Sequence, residues 1–424
     1  MRVLLLNTYY MYGGAGRAAG RLHQALCGMD VDAHMLVQHN YDPRQRSIYG
    51  PSGALEQGAA RLKPALEMLP LLLYPGRNRL PFSVNYLPDA VLSHSLVLDP
   101  DVINLHWVNT GFLRIETLQK LRKPLVWTLH DSWPFTGGCH IPLDCRRYAE
   151  SCGRCPALGS RCEGDLSRWI WRRKAKALRG ADLTVVTPSR WLARCAAQSS
   201  LFRELRIEVI PNGLDLRNMQ LLDKPVARRL LGLSADKKYI LFGSLGSTSD
   251  RNKGFQHLAP ALKALAAAGF GTDCELIVFG AEKPLDPPDF GLKAHYLGYF
   301  RDEARLNQLY GAADLFVAPS LQENLPNTIM EAMACGTPCV AFDVGGIPDL
   351  IEHKANGYLA QPYQAESLAQ GIAWVLKGEV GCTELARAAR AKVASEFSIE
   401  ACAGKYLKLY QELAAGGKGT PSPC

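Results

Sequence analysis

The stretch Tyr239-Ile-Leu-Phe-Gly243, followed by a polar loop to Asp250-Arg251-Asn252-Lys253-Gly254 and then a helical pattern over 254–268, decides the fold. An apolar run that stops at a glycine, turns through polar residues and resumes as a helix is one strand-loop-helix unit of a parallel sheet. Arg251, Lys253 and the glycine at the helix start also form a phosphate clamp. Arginine grips oxygens bidentately, lysine acts as a point charge, and the helix dipole assists both. The order G-x-x-x-x-G-K-[ST] is absent, so this is not a Walker loop.

The same rhythm runs outward in both directions. Apolar, β-branched runs at 3–7, 33–38, 102–107, 125–130, 183–187 and 207–211 precede it, and others at 275–280, 295–298, 315–319 and 338–342 follow. Near-continuous apolar strands alternating with helices mark parallel sheets covered on both faces, which predicts an α/β fold of two Rossmann-like domains. The turn Pro211-Asn212-Gly213 separates the two series. The expected organisation is a first domain over 1–205, a second over 206–380, helices over 381–415 packing back on the first domain, and a disordered tail over 416–424.

At 424 residues, with 47% hydrophobic and 21% charged residues, the composition excludes disordered, collagenous and coiled-coil classes. The longest apolar run, around Leu69 to Tyr74, is broken by Pro70 and Pro75 and falls short of the ~18 residues that span a bilayer. Met1-Arg2-Val-Leu-Leu-Leu-Asn7 reads as a first strand rather than a signal peptide, so a cytoplasmic protein is expected. The net charge of +8 suits phosphate ligands or the inner face of an anionic membrane and is too small to mark a nucleic-acid binder.

In the first half, Gly13-Gly14-Ala15-Gly16-Arg17-Ala18-Ala19 opens a helix after the first strand, from which the insert Thr8 to Tyr12 separates it. It reads either as a phosphate or substrate loop or as a glycine turn packing a helix onto a sheet. A nicotinamide site is disfavoured, because the second strand ends in Gln38-His39-Asn40 without an acidic residue to hold a ribose. Leu129-His130-Asp131 stands at the C-terminal end of a strand, where open α/β sheets bind ligands, and His106 ends the preceding strand in the same way.

Cys139, Cys145, Cys152 and Cys155 follow with the spacing C-x5-C-x6-C-x2-C, separated by polar, loop-like residues. Such a loop buries too little apolar surface to offset its ordering entropy. A structural zinc ion on the four thiols would fix it, with His140 as a substitute ligand; a redox pair or two disulfides are the alternatives. Two stretches suggest contact with a membrane: the basic, Trp-bearing pattern over 168–176 and the Leu-rich region over 62–82. A solvated helix face and a lid-like loop are the competing readings.

In the second half, Glu323-Asn324-Leu325-Pro326-Asn327-Thr-Ile-Met-Glu331 leads into Ala-Met-Ala-Cys-Gly336-Thr337-Pro338. A loop carboxylate and a second one along the following helix can accept hydrogen bonds from two sets of sugar hydroxyls. Glu323-x7-Glu331, taken with Val344-Gly-Gly-Ile-Pro-Asp349, Asn356-Gly357-Tyr358 and Ile210-Pro-Asn-Gly213, resembles the family 4 glycosyltransferases of GT-B fold over essentially the whole chain. Trp127-Thr-Leu-His-Asp-Ser-Trp133 through Cys155-Pro156 resembles the branch that makes colanic acid, other exopolysaccharides and O-antigen.

The resemblance implies two domains facing each other across a cleft and a retaining transfer of a hexosyl group. The donor would be a UDP- or GDP-sugar, the acceptor lipid-linked or a polysaccharide, and no catalytic metal would be needed. It implies catalytic roles for Glu323, His130 and Lys253. Donor binding would fall to Gly14, Gly16, Arg17, Arg251, Asn324, Leu325, Asn327 and Glu331. Glu323 would meet the donor sugar, Glu331 the ribose, Lys253 the diphosphate, and His130 would sit beside the transferring sugar. The chain departs from the family in placing Ser244 where an arginine usually follows the strand-end glycine, and Asn324-Leu325-Pro326 where Gly-Phe-Gly is usual. A non-catalytic nucleotide-sugar-binding module and a GT-B-like epimerase are the rival functions.

Overall fold

The computed structural model describes residues 1–39, 44–244, 246, 248–300, 302–378 and 381–416. They form two compact units, Met1–Pro211 joined by the chain from Cys402, and Asn212–Ala401. Among the described residues the first unit holds β1 (Arg2–Tyr9), β2 (Asp32–His39), β3 (Ile48–Tyr49), β4 (Val102–Leu105), β5 (Leu125–Thr128), β6 (Leu183–Thr187) and β7 (Arg206–Val209). They make one parallel sheet in the order β3-β2-β1-β4-β5-β6-β7.

Successive residues point to opposite faces of a strand, so β1 supplies two cores at once. Leu4 and Leu6 join Trp127, Phe135 and Ile170 on one face, while Val3 and Leu5 join Leu22, Met35 and Val126 on the other. The last helix, Ile399–Ala414, closes that second face with Ala403, Tyr406, Leu409 and Tyr410. It is pinned by polar contacts too. Asn104 Nδ2 donates to the Tyr410 hydroxyl at 2.6 Å, and Arg206 reaches both carboxylate oxygens of Glu412 at 2.5 and 3.0 Å.

The second unit holds β8 (Lys238–Gly243), β9 (Cys274–Phe279), β10 (Lys293–Tyr296), β11 (Leu315–Ala318), β12 (Cys339–Phe342) and β13 (Gly357–Ala360). Their order, β10-β9-β8-β11-β12-β13, is again all parallel, with a core on each face. The order reverses beside β8, so the loops after β8 and β11 leave the sheet at its switch point, where doubly wound sheets receive ligands.

Three details differ from the sequence reading. The boundary expected at 205/206 falls one strand early, because β7 pairs with β6 in the first sheet. The helix Cys382–Glu396 belongs to the second unit rather than packing back on the first. Its Leu385, Ala389 and Val393 recur at helical spacing and are buried, and Arg390 donates to the carbonyls of Met219 (2.8 Å) and Ala334. The edge strand β3, two residues long, is too short to announce itself by apolar periodicity, and β13, which opens on Gly357 and is only part buried, is not marked by an apolar β-branched run either. Of the tail expected over 416–424, residues 417–424 lie outside the described residues.

Candidate active site

At the switch point, Asp250 accepts the backbone N–H of Asn252 at 2.9 Å and caps a turn over Arg251–Lys253. The chain then passes through Gly254, at φ +72°, into the helix Phe255–Leu265. A Cβ at Gly254 would lie 1.7 Å from the Pro319 carbonyl oxygen, so the two loops meet backbone to backbone. Asn252, buried, ties them together. Its Nδ2 donates to the Gln322 carbonyl at 2.8 Å, its Oδ1 accepts the Gln322 N–H at 3.2 Å, and its own carbonyl accepts the Leu321 N–H at 2.8 Å.

This joint brings Lys253 Nζ to 2.7 Å from Glu323 Oε1, with both side chains largely shielded from solvent. Burial works against the ammonium, yet the charge and hydrogen bond of Glu323 outweigh it and hold Lys253 above the ordinary lysine pKa. The loop after β12 supports Glu323 from behind: Gly346 N–H donates to the Glu323 carbonyl at 2.9 Å, and a Cβ at Gly345 would sit 1.9 Å from that oxygen.

Beyond Glu323, Leu325 is buried and Pro326 precedes the helix Asn327–Ala334, with Asn212 Nδ2 donating to Asn327 Oδ1 at 3.4 Å. Glu331 is also buried and accepts from the Tyr310 hydroxyl at 3.2 Å. Nothing in the sequence pairs Tyr310 with Glu331, since they lie on different helices 21 residues apart. Arg251 is exposed, while Ser244 Oγ, at the position of the family arginine, is buried without a hydrogen-bond partner among the described residues.

In the first unit the helix Gly13–Gly28 starts directly after β1 and carries no side-chain cap among the described residues. Gly14 is exposed there and Arg17 half-buried. Gly16 has a packing reason: a Cβ would come within 3.0 Å of the Tyr9 carbonyl, so the helix approaches the end of β1 closely.

His130 follows β5, and its Nε2 lies 3.0 Å from His106 Nδ1 with the rings stacked at 5.3 Å. Burial lowers His130 to about pKa 4 and pushes the buried His106 well below the usual histidine range, so both are neutral at pH 7. Asp131, next in sequence, accepts from Trp107 Nε1 (2.8 Å) and the Trp133 N–H (2.8 Å) and pairs with His140 Nδ1 at 2.7 Å. His140 Nε2 in turn meets Ser83 Oγ at 2.8 Å.

Cys139, Cys145, Cys152 and Cys155 are brought together around one small cavity of about 10 Å³, room for a single water-sized body. All four are free thiols. Among the described residues no group of three or more His, Cys, Asp or Glu side chains is disposed to hold a metal ion. The four thiols thus line one cavity and are not joined in disulfides.

Hydrogen bonds also order the loop. His140 is locked to Asp131 and Ser83; the Gly137 N–H donates to Cys152 Sγ at 3.1 Å; and Asp165 accepts the Cys155 N–H at 2.8 Å while capping the helix Leu166–Ala177. From that helix the fully buried Lys174 donates to the carbonyls of Trp133 and Thr136 (3.0 Å) and sits over the Trp133 ring at 3.6 Å.

Within residues 168–176, Lys174 is internal, Arg173 binds Glu116 at 2.6 and 2.7 Å and the carbonyls of Val84 and Asn85, and Trp171 Nε1 donates to Ser200 at 3.0 Å, while Trp169, Arg172 and Lys176 are exposed. The other stretch does present an apolar face. Along the helix Ala54–Glu67 and the turn Leu69–Leu73, the side chains of Leu55, Leu62, Leu66, Met68, Leu69, Leu72 and Leu73 are exposed. No helix of the described residues is long and apolar enough to cross a membrane.

Comparison with known proteins gives the family. Residues 12–218 match the model of Glycosyltransferase Family 4, and residues 237–378 match that of Glycosyl transferases group 1. The chain is a family 4 glycosyltransferase. The transferase is 23% identical to the putative colanic acid biosynthesis glycosyl transferase WcaC of Escherichia coli, over 97% of this chain and all of WcaC. It is 31% identical to the D-inositol 3-phosphate glycosyltransferase of Segniliparus rotundus over 51% of this chain, and spans about half (49%) of that relative. Its fold matches that of Anabaena HepE, solved in complex with UDP-glucose, at a TM-score of 0.64 and 19% identity, over 97% of this chain and all of HepE.

Proposed function

We propose that the transferase is a retaining hexosyltransferase that takes its sugar from a nucleoside diphosphate donor, a UDP- or GDP-sugar, and passes it to a lipid-linked or polysaccharide acceptor. The observation that carries this reading is the Lys253–Glu323 pair, set by two interlocked loops at the switch point of the second sheet. A shielded ammonium with a carboxylate 2.7 Å away has the two groups that a sugar diphosphate needs. Lys253 turns from Glu323 to the diphosphate, and Glu323 then accepts hydroxyls of the sugar. Arg251 adds a second, solvent-facing cation, and Glu331 takes the ribose hydroxyls.

In a retaining transfer of this kind the acceptor attacks on the face the diphosphate leaves. Its oxygen bonds to the anomeric carbon as the carbon–phosphate-oxygen bond breaks, and the acceptor proton passes to the departing phosphate. Negative charge grows on that phosphate, and a preplaced ammonium stabilises it without reorganisation. With protein cations meeting the charge, the reaction runs without a divalent metal. His130 acts beside the transferring sugar. Membership of the family, the full-length likeness to WcaC and the UDP-glucose bound by a protein of the same fold support the reading.

The exposed leucines of residues 55–73, with Arg61 and Arg79 also exposed nearby, dock on the anionic membrane that carries a lipid-linked acceptor. The experiment is a panel of UDP-, GDP- and ADP-sugars, scored for release of nucleoside diphosphate with and without acceptor extract. Release accelerated by acceptor supports the transferase. Tight binding without release under any condition would instead indicate a binding module.

A further inference from the structure

His130 and His106 share one hydrogen bond, 3.0 Å between His130 Nε2 and His106 Nδ1, and both rings are neutral at pH 7. One proton therefore lies between them, and it belongs to one ring or the other. If His130 Nε2–H were the donor, His106 would carry its own proton on Nε2. That atom is buried and has no hydrogen-bond partner among the described residues. An orphaned buried N–H is among the rarest features of folded proteins, whereas a bare ring nitrogen in the same place leaves only a lone pair unused. The backbone of His106 is held in place, its N–H donating to the Leu6 carbonyl at 2.9 Å and its carbonyl accepting Trp127 Nε1 at 3.2 Å, and its ring is buried among the first core.

We infer that His106 is a positioning residue: its Nδ1–H donates to His130 Nε2 and so fixes His130 as the tautomer with its proton on Nδ1. The inference deepens the proposed function, resting on the placement of His130 beside the transferring sugar. With Nε2 occupied, His130 offers that sugar a neutral N–H donor from Nδ1 and does not serve as a base through Nε2. The substrate group it suits is therefore an acceptor oxygen, such as a sugar hydroxyl, rather than a group that must lose a proton.

The tautomer is read directly by long-range 15N–1H correlation on the full chain labelled at histidine, with His130 assigned by its loss in His130→Gln. The proton is expected on Nδ1 in the native protein, moving to Nε2 in His106→Leu and staying on Nδ1 in His106→Asn, whose amide N–H stands where Nδ1–H stood. Turnover should follow: kcat falls roughly tenfold in His106→Leu with the donor KM little changed, and is largely restored in His106→Asn. His130→Asn, whose amide N–H mimics Nδ1–H, should retain more activity than His130→Gln, which mimics Nε2–H. A native His130 protonated on Nε2 overturns the inference. If His130→Asn and His130→Gln both keep full activity while the tautomer is as expected, it is the placement of His130 at the sugar that fails.

Discussion

The two units prepare their strand-end loops for ligands in opposite electrostatic ways. In the second unit the working groups are charged and paired with each other, Lys253 against Glu323, so a ligand with both an anionic and a hydroxylic part can replace each partner. In the first unit the groups at the ends of β4 and β5 are neutral rings stacked on one another, beside an Asp131 whose oxygens are taken up by Trp107, Trp133 and His140. A charged pair can exchange partners at little net cost when the ligand supplies equivalent charge, whereas a buried neutral network specifies direction and proton position. The one is built to be displaced and the other to hold still.

The largest expected effect comes from removing the joint that sets the charged pair. In Gly254→Ala the new Cβ meets the Pro319 carbonyl at φ +72°, and that backbone cannot yield as a side chain would. The variant should lose more than ~2 kcal/mol and essentially all turnover, as thermal unfolding and activity assays together would show. A variant of native stability and activity would mean that the two loops need no such contact.

Next in size is the response to pH, which should separate the units. His130 and the buried His23, both in the first unit, are lowered by burial to about pKa 4. Between about pH 6.5 and 4 the unfolded chain takes up protons that the folded chain refuses. Stability contributed by these rings is therefore complete above about 6.5 and falls with pH through that window, by about 3 kcal/mol for a fully buried ring. Lys253 behaves in reverse, since its pKa is raised: its contribution holds below the ordinary lysine range and is lost only as pH rises through the raised value. Six of the seven tryptophans lie in the first unit, so indole emission reports mainly on it. The emission midpoint in denaturant should fall between pH 6.5 and 4, and the fall should be shallower in His23→Leu.

The smallest effect on chemistry is expected at the exposed leucines. Replacing Leu72 and Leu73 by Glu should cut binding to anionic vesicles several-fold while leaving turnover on a water-soluble acceptor within roughly twofold. Equal vesicle binding by wild type and variant would remove this face from the account.

Much of the second unit is legible in its sequence, because each feature of its site is local. A strand-end glycine, a capped turn with Lys253 and a loop carboxylate before a helix all leave short-range signals. The first unit is less so. Its histidine pair joins residues 24 apart, Ser83 meets His140 across 57, and Lys174 reaches Trp133 across 41, contacts that no periodicity encodes. The cysteine spacing does bring the thiols together, yet spacing cannot show that hydrogen bonds from His140, Asp165 and Lys174 order the loop. In the basic stretch over 168–176, counting cations from sequence does not separate Lys174 and Arg173, which bind carbonyls and Glu116 within the fold, from the exposed Arg172 and Lys176.

The central claim is that Lys253 meets the leaving diphosphate. It is tested most directly by steady-state turnover of Lys253→Ala against wild type, using whichever nucleotide sugar the panel identifies. A loss of kcat of about two orders of magnitude or more is expected, by analogy with the removal of a preorganised donor to developing charge. Turnover of Lys253→Ala equal to that of wild type would contradict it.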